Sequence, residues 1–209
     1  MLTETFGIFT TAALTTEHSG IIDLTHQTDE SDNPQDFTVY FGSLGSGGAD
    51  TEDRQIQANS DPGTDNIVID IADILPLWVA ETAYSVGDCV QPTTPDGFRY
   101  RCTTAGTTGA SEPTWNDASI GATTTDGTAV WTLVSAKHEE TEITLALSEA
   151  ALDTNTPGDS LSLGNTVTSG TGNDIPIWIR VENNVNTVSN NTATPEIALQ
   201  FNALIESEA

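Results

Sequence analysis

Ile175-Pro176-Ile177-Trp178-Ile179-Arg180-Val181 places four aliphatic side chains on one face of an extended chain and Pro, Trp and Arg on the other. A period of two is the signature of a strand, and a face made only of Ile and Val needs an apolar layer to cover it. The same alternation recurs in Phe37/Val39/Phe41, Ile67/Ile69/Ile71, Ile143/Leu145/Leu147 and Ile197/Leu199/Phe201, each with polar or small residues between. Turn-forming clusters separate these runs: SDNPQD, GSLGSGGAD, NSDPGTDN, DTNTPGDS and NNTATPE. Short helical turns fit Thr10–Thr16 and Ser148–Asp153, but no stretch carries a long helical period. The expected fold is all-β, an antiparallel β-sandwich of half-buried strands.

Composition agrees with that reading. Thr, Gly, Asn and Asp are plentiful, whereas Lys and Arg together number 5 of 209 residues. Against them stand 31 Asp and Glu, a formal net charge of -26. Such a chain is repelled by phosphate backbones and by anionic membrane surfaces, so neither nucleic acid nor membrane is an expected partner. The opening MLTETFGIFTTAAL has neither a charged start nor a sustained apolar run, and the apolar stretch Ile74–Ala80 is short and interrupted by Pro76. The expectation is a soluble protein made in the cytoplasm, with no recognisable secretion signal and no bilayer span.

Residues 78–134 differ in kind. They hold six of the thirteen aromatic residues, Trp78, Tyr84, Phe98, Tyr100, Trp115 and Trp131, and a net charge of -4 against -22 for the remainder. Three segments follow: residues 1–77 as the first part of a sandwich, 78–134 as a small inserted β-module, and 135–209 as the second part. Insertion of this kind is tolerated where a loop leaves and rejoins a scaffold at neighbouring points.

The skeleton Trp78…Tyr84-Ser-Val-Gly87-Asp88-x-Val90…Phe98-x-Tyr100-x-Cys102…Glu112-Pro113-x-Trp115…Asp126-Gly127…Trp131 resembles the chitin-binding type of carbohydrate-binding module. Modules with this wording recur in structural proteins of tailed bacteriophages, and the resemblance covers residues 78–134. The segment departs from polysaccharidase-linked modules in carrying the loop AGTTGASEP, residues 105–113, where those often have adjacent exposed aromatics. The flanking stretches FTTAALTTEHSGIIDLTHQTDESDN and SLGNTVTSGTGNDIPIWIRVENNVNTVSNNTATPEIALQFNALIE resemble, more loosely, small capsid decoration (cement) proteins. The resemblance implies a virion structural protein on the outer head surface, with the major capsid protein or other virion proteins as partners. It also implies a homo-oligomer, a trimer by analogy with closed symmetric assemblies, that displays a module toward surface glycans. A tail, baseplate or neck fibre or adaptor is the alternative within the virion, and a free carbohydrate-binding protein the alternative outside it.

Candidate residues follow from chemistry. A flat ring with a polar edge suits a sugar, which makes Trp78, Tyr84 and Trp115 the candidate sugar-facing residues, with core packing as the competing reading. Phe98 and Tyr100 read as module core. Trp178 beside Arg180, on the face opposite four aliphatics, has the composition of a subunit interface; a covering loop or stacking within the chain is the competing reading. Asp29-Glu30-Ser31-Asp32, Asp50-Thr51-Glu52-Asp53 and Asp153–Asp159 have oxygens at calcium-like spacings but lack a complete ligand pattern, so no metal site is expected. His18, His26 and His138 have no partners at ligand spacing, no nucleophile or phosphate-loop motif is present, and neither catalysis nor a cofactor is expected. Cys89 and Cys102 flank the turn Thr94–Gly97: a four-residue loop would set them opposite one another, a shorter loop would not, and reduced thiols are the default. Asn190-Asn191-Thr192 matches a glycosylation sequon, without weight in the absence of a secretion signal.

Overall fold

The computed structural model describes residues 5–18, 20–22, 24, 31–184 and 195–209. His26, Asp29 and Glu30 of the first acidic cluster, and the sequon at Asn190, lie outside them. In chain order the strands are β1 (Gly7–Phe9), β2 (Gln35–Gly42), β3 (Arg54–Ala58), β4 (Val68–Asp73), β5 (Ala83–Tyr84), β6 (Cys89–Val90), β7 (Phe98–Thr104) and β8 (Gly106–Thr107). They continue with β9 (Thr123–Asp126), β10 (Ala129–Ala136), β11 (Ile143–Ala146), β12 (Leu161–Ser162), β13 (Thr166–Thr168), β14 (Ile175–Val181), β15 (Ile197–Phe201) and β16 (Leu204–Glu208). Among the described residues the helical elements are short 3-10 turns, and no helix is long and apolar enough to cross a membrane. The protein is all-β.

Two compact units divide the chain. The first comprises Met1–Ala72, Glu140–Asn183 and Leu199–Ala209; the second comprises Asp73–Glu139 and Asn184–Ala198. In the first unit β14 runs antiparallel to β2 on one side and β11 on the other, and β1 completes a four-stranded sheet. Three-stranded sheets β12-β4-β15 and β13-β3-β16 contribute the other side of the core. Val39, Phe41, Leu145, Ile177 and Ile179 from the first sheet meet Ile56, Ile69, Leu161 and Val167 from the other two in one buried cluster, a sandwich-like arrangement. Ile177 pairs with Val39 and Ile179 with Phe37, so the alternation read in the sequence fixes which face each strand buries. Leu147 is a correction: β11 ends at Ala146, the chain turns into Glu149–Asp153, and Leu147 is left 46% exposed. Thr10–Thr16 is likewise a turn and bend region, not a helical turn.

The second unit is a four-stranded antiparallel sheet, β6-β7-β10-β9, with the small pair β5-β8 beside it. The module expected at 78–134 falls within this unit, which extends further on both sides and includes a later segment. The reason is a set of buried charges. Lys137, itself buried, donates to Asp73 Oδ2 at 2.8 Å and to Glu139 Oε2 at 3.0 Å, so one ammonium ties the first and last residues of the continuous stretch. Gln91 Nε2 donates to the same Asp73 oxygen at 2.8 Å and to the Leu75 carbonyl at 2.9 Å. Burial by itself would raise the Asp73 carboxyl, but hydrogen bonds from Lys137, Gln91 and the Leu75 amide outweigh it and hold it below the usual range. Arg99, only 2% exposed, is ion-paired with the buried Glu196, whose other oxygen accepts from the His138 amide at 2.7 Å.

Removing one partner of such a buried pair leaves the other charge without compensation. Arg99→Leu is expected to destabilise the second unit by about 3–5 kcal/mol, and restoring neutrality with Glu196→Leu in the same chain to recover a large part of it. Urea denaturation followed by tryptophan emission measures both; a loss confined to a few tenths of a kcal/mol would contradict the pairing.

Candidate functional site

The aromatic residues of the second unit collect on one side of its sheet. Phe98, Tyr100 and Cys102 alternate inward from β7, and Trp131 and Leu133 inward from β10, with Trp78, Tyr84 and Trp115 packed among them. Tyr84 meets Trp131 edge-on at a centroid distance of 4.9 Å. Trp115 lies over Tyr100 at 4.3 Å and meets Trp131 edge-on at 6.0 Å. Offset and edge contacts of this kind add to the area that each ring buries.

Each ring that carries a polar edge has that edge satisfied. Asp126, buried at the end of β9, accepts from Trp78 Nε1 at 2.7 Å and Trp131 Nε1 at 3.2 Å through one oxygen, and from the Gly109 amide at 2.7 Å through the other. Glu112 accepts from Trp115 Nε1 at 2.9 Å and from the amide and hydroxyl of Thr93. Burial would raise the Glu112 carboxyl, yet the bonds from Thr93 and Trp115 prevail and hold it below the usual range. The Tyr100 hydroxyl donates to Asp96 Oδ2 at 2.8 Å; burial first, then that carboxylate, pushes the phenol well up. The Tyr84 hydroxyl accepts from the Val79 amide at 3.2 Å.

This arrangement corrects the reading of Trp78. The residue is 7% exposed and its indole nitrogen faces a buried carboxylate, so it offers no ring face to a sugar. Tyr84 and Trp115 are half-buried and packed against the same core, with their polar atoms engaged inside the unit. The hairpin that presents Asp126 depends on Gly127: it stands at φ +58° in the two-residue loop between β9 and β10, and a Cβ there would lie 2.3 Å from the Thr107 carbonyl oxygen. Asp126 and Glu112 belong to the sequence skeleton, but their spacing from the tryptophans does not mark them as acceptors. The available signal was that an indole N–H in a small core demands an acceptor.

Cys89 pairs with Arg101 and Val90 with Tyr100, one residue away from the register that would oppose Cys89 to Cys102. Arg101 and Cys102 point to opposite faces of β7, and both thiols are free. The face that β7, β10 and β9 turn away from the aromatics carries a row Cys89–Arg101–Thr132–Thr123 across four strands. Thr103 and Thr125 lie beside that row, and the Thr103 and Thr132 hydroxyls are 3.0 Å apart. Thr103, Thr123 and Thr125 are exposed, while Arg101, Val130 and Thr132 are half-buried.

In the first unit Trp178 and Arg180 share the face of β14 opposite the core, as the alternation requires, and Trp178 is half-buried between Thr38 and Ala146. Arg180 sets its fork on Asp36, with 2.8 Å from Nε to Oδ1 and 2.8 Å from Nη2 to Oδ2, and donates to Asp153 at 2.8 Å. The Asp36 hydrogen bond, then that of Asp153, raises Arg180, and the same contact lowers Asp36. The Asp153–Asp159 loop is therefore occupied structurally: Asp153 binds Arg180, and Asn155 Nδ2 donates to the Leu145 carbonyl at 2.7 Å. In Asp50–Asp53 the carboxylates of Asp50 and Asp53 accept from the Thr171 and Ser46 amides. Among the described residues no group of three or more His, Cys, Asp or Glu side chains is placed to hold a metal ion.

No protein-family model matches the chain, and neither a curated protein nor a solved structure matches it.

Asp126→Asn keeps the shape but replaces an acceptor oxygen with a donor facing two N–H groups. A loss of about 2–3 kcal/mol in the stability of the second unit is expected, with a red shift of tryptophan emission at lower urea than in the parent. Acid provides an independent check. Asp73 and Glu112 are both held below their ordinary values when folded, so their contribution is complete at neutral pH and fades as pH falls below about 4. Glu112→Gln should flatten that acid limb in a titration of stability against pH; a slope identical to the parent's would exclude Glu112 from it.

Proposed function

We propose that the protein is a non-enzymatic structural component of a tailed-bacteriophage virion, a decoration protein on the outer head surface that displays a small carbohydrate-binding-like module. The observation that carries this reading is the division of the chain. The stretch Asp73–Glu139, together with Asn184–Ala198, forms a compact β-unit with its own aromatic core, while the acidic sandwich is formed by the rest of the chain. A scaffold interrupted by a self-contained module suits a protein that is held by one part and presents the other.

The charge supports an outer position. A net charge of -26 is tolerable in solvent and unfavourable beside packaged DNA. Trp178, half-buried on the non-core face of the four-stranded sheet, is the residue around which a contact with sister subunits or with the major capsid protein would be built. A closed ring of such contacts, a trimer in the simplest case, fits this role. Many copies on one particle would convert weak single-site attachment to surface glycans into useful avidity.

Quantitative mass spectrometry of purified particles tests the reading. Hundreds of copies per particle are expected for a head decoration protein. A handful would instead favour a tail, baseplate or neck adaptor, and absence from particles would favour a free carbohydrate-binding protein.

A further inference from the structure

Of the five cationic side chains, four are engaged within the molecule. Arg54 is paired with Glu206 at 2.8 Å, Arg99 with Glu196, Lys137 with Asp73 and Glu139, and Arg180 with Asp36 and Asp153. Arg101 alone has no carboxylate within 4.0 Å among the described residues and makes no side-chain hydrogen bond to them, although the chain carries 31 acids. Its surroundings explain how it remains unpaired. The residues in register with it are Cys89 and Thr132, Thr123 follows on the edge strand, and Thr103 and Thr125 fill the neighbouring row. Along β7 the same face also carries Arg99, two residues away and neutralised by Glu196, and the other neighbours of Arg101 on that face are hydroxyls, methyls and one buried thiol.

We infer that this face of the second unit, Arg101 with Thr103, Thr123, Thr125 and Thr132, binds a saccharide that carries a carboxylate. The inference rests on the glycan-display reading above and assigns its ligand class and surface. A guanidinium offers two parallel N–H donors that match one carboxylate, and it holds such a group more strongly than a neutral donor does. The threonine hydroxyls both donate and accept, as sugar hydroxyls do, and their methyl groups with Val130 give the apolar contact that a pyranose face needs. Neighbouring strands are about 4.8 Å apart, so the row from Arg101 through Thr132 to Thr123 spans about 10 Å, the length of roughly two sugar rings.

Charge narrows the ligand further. A densely anionic polymer meets repulsion from the rest of the chain, whereas a single carboxylate flanked by neutral sugars is attracted at short range and screened beyond about 8 Å at physiological salt. The preferred ligand is therefore a glycan with one uronic or sialic acid per repeat. An acidic peptide would satisfy the guanidinium but leave the hydroxyl row without a complementary partner.

The full-length protein is tested on an array holding uronic-acid and sialic-acid oligosaccharides, their carboxyl-reduced neutral counterparts, and an oligoglutamate peptide. The expected result is retention on the carboxylated sugars and loss of it on the reduced ones. Arg101→Gln is expected to weaken retention about tenfold or more, and Arg101→Lys by an intermediate factor. Thr132→Val supplies a second variant that leaves the charge in place, with a loss of a few fold. Unchanged tryptophan emission confirms that each variant is folded, since Arg101 has no partner among the described residues to lose. Retention on neutral sugars that is indifferent to Arg101→Gln would overturn this assignment while leaving glycan display intact. Retention of oligoglutamate alone, or of no probe at all, would overturn both.

Discussion

Two indole N–H groups and one backbone amide converge on the Asp126 carboxylate, and the core of the second unit is arranged around that convergence. A unit of this size has few residues with which to exclude water, so large rings supply the buried area. Each Trp or Tyr also brings a polar atom that cannot be left unmatched in the interior. The unit meets this requirement with carboxylates: Asp126 for Trp78 and Trp131, Glu112 for Trp115, Asp96 for Tyr100. Placing Asp126 beside Gly127 in a two-residue hairpin loop delivers the acid from a fixed backbone position, because the loop admits no Cβ at residue 127. Ring packing and hairpin geometry thus depend on the same pair of residues.

A second constraint closes the unit. Lys137 bridges Asp73 and Glu139, and Arg99 reaches Glu196, which lies 97 residues further along the chain. Desolvating these charges is unfavourable, and a hydrophobic cluster of equal volume would stabilise the unit at least as well. What ion pairs add is selectivity, since a misplaced chain end would leave a buried charge without its partner. This accounts for the boundaries at Asp73 and Glu139, outside the aromatic-rich stretch that compositional bias singles out.

The strands that build the sandwich core were legible because each places at least two large aliphatic or aromatic side chains on one face. β2, β14 and β15 are of this type. β3, Arg-Gln-Ile-Gln-Ala, and β16, Leu-Ile-Glu-Ser-Glu, gave no such signal. β3 is paired with β13 on one side and β16 on the other and carries the Arg54–Glu206 contact; Ile56, the small Ala58 and Leu204 of β16 are too little pattern to read. The site was legible in its residues but not in their direction. The flat apolar rings of Trp78, Tyr84 and Trp115 suit a sugar, and the same property makes them the natural filling of a small core. Deciding between the two requires the position of Asp126, which lies 48 residues from Trp78 and enters through a hairpin on another strand. The two cysteines illustrate the same limit: one residue of register separates facing thiols from thiols on opposite sides of a sheet, and loop length alone sets it.

The acidity of the chain acquires a different meaning once its carboxylates are followed individually. Taken as a sum, it describes a repulsive field that keeps polyanions away. Taken residue by residue, a set of these acids performs internal tasks, accepting from indoles, from a phenol, from loop amides and from four of the five cations. Those cations are then electrically silent to any ligand. A field set by the whole surface decays within about 8 Å at physiological salt, whereas a bidentate contact acts at hydrogen-bond distance. An overall negative charge is therefore compatible with a local preference for one carboxylate, provided that the guanidinium faces neutral neighbours. Thr, which the composition suggests only as a strand former, is the residue that supplies them: it continues the sheet, offers a hydroxyl to solvent, and leaves Arg101 without an acceptor among the described residues.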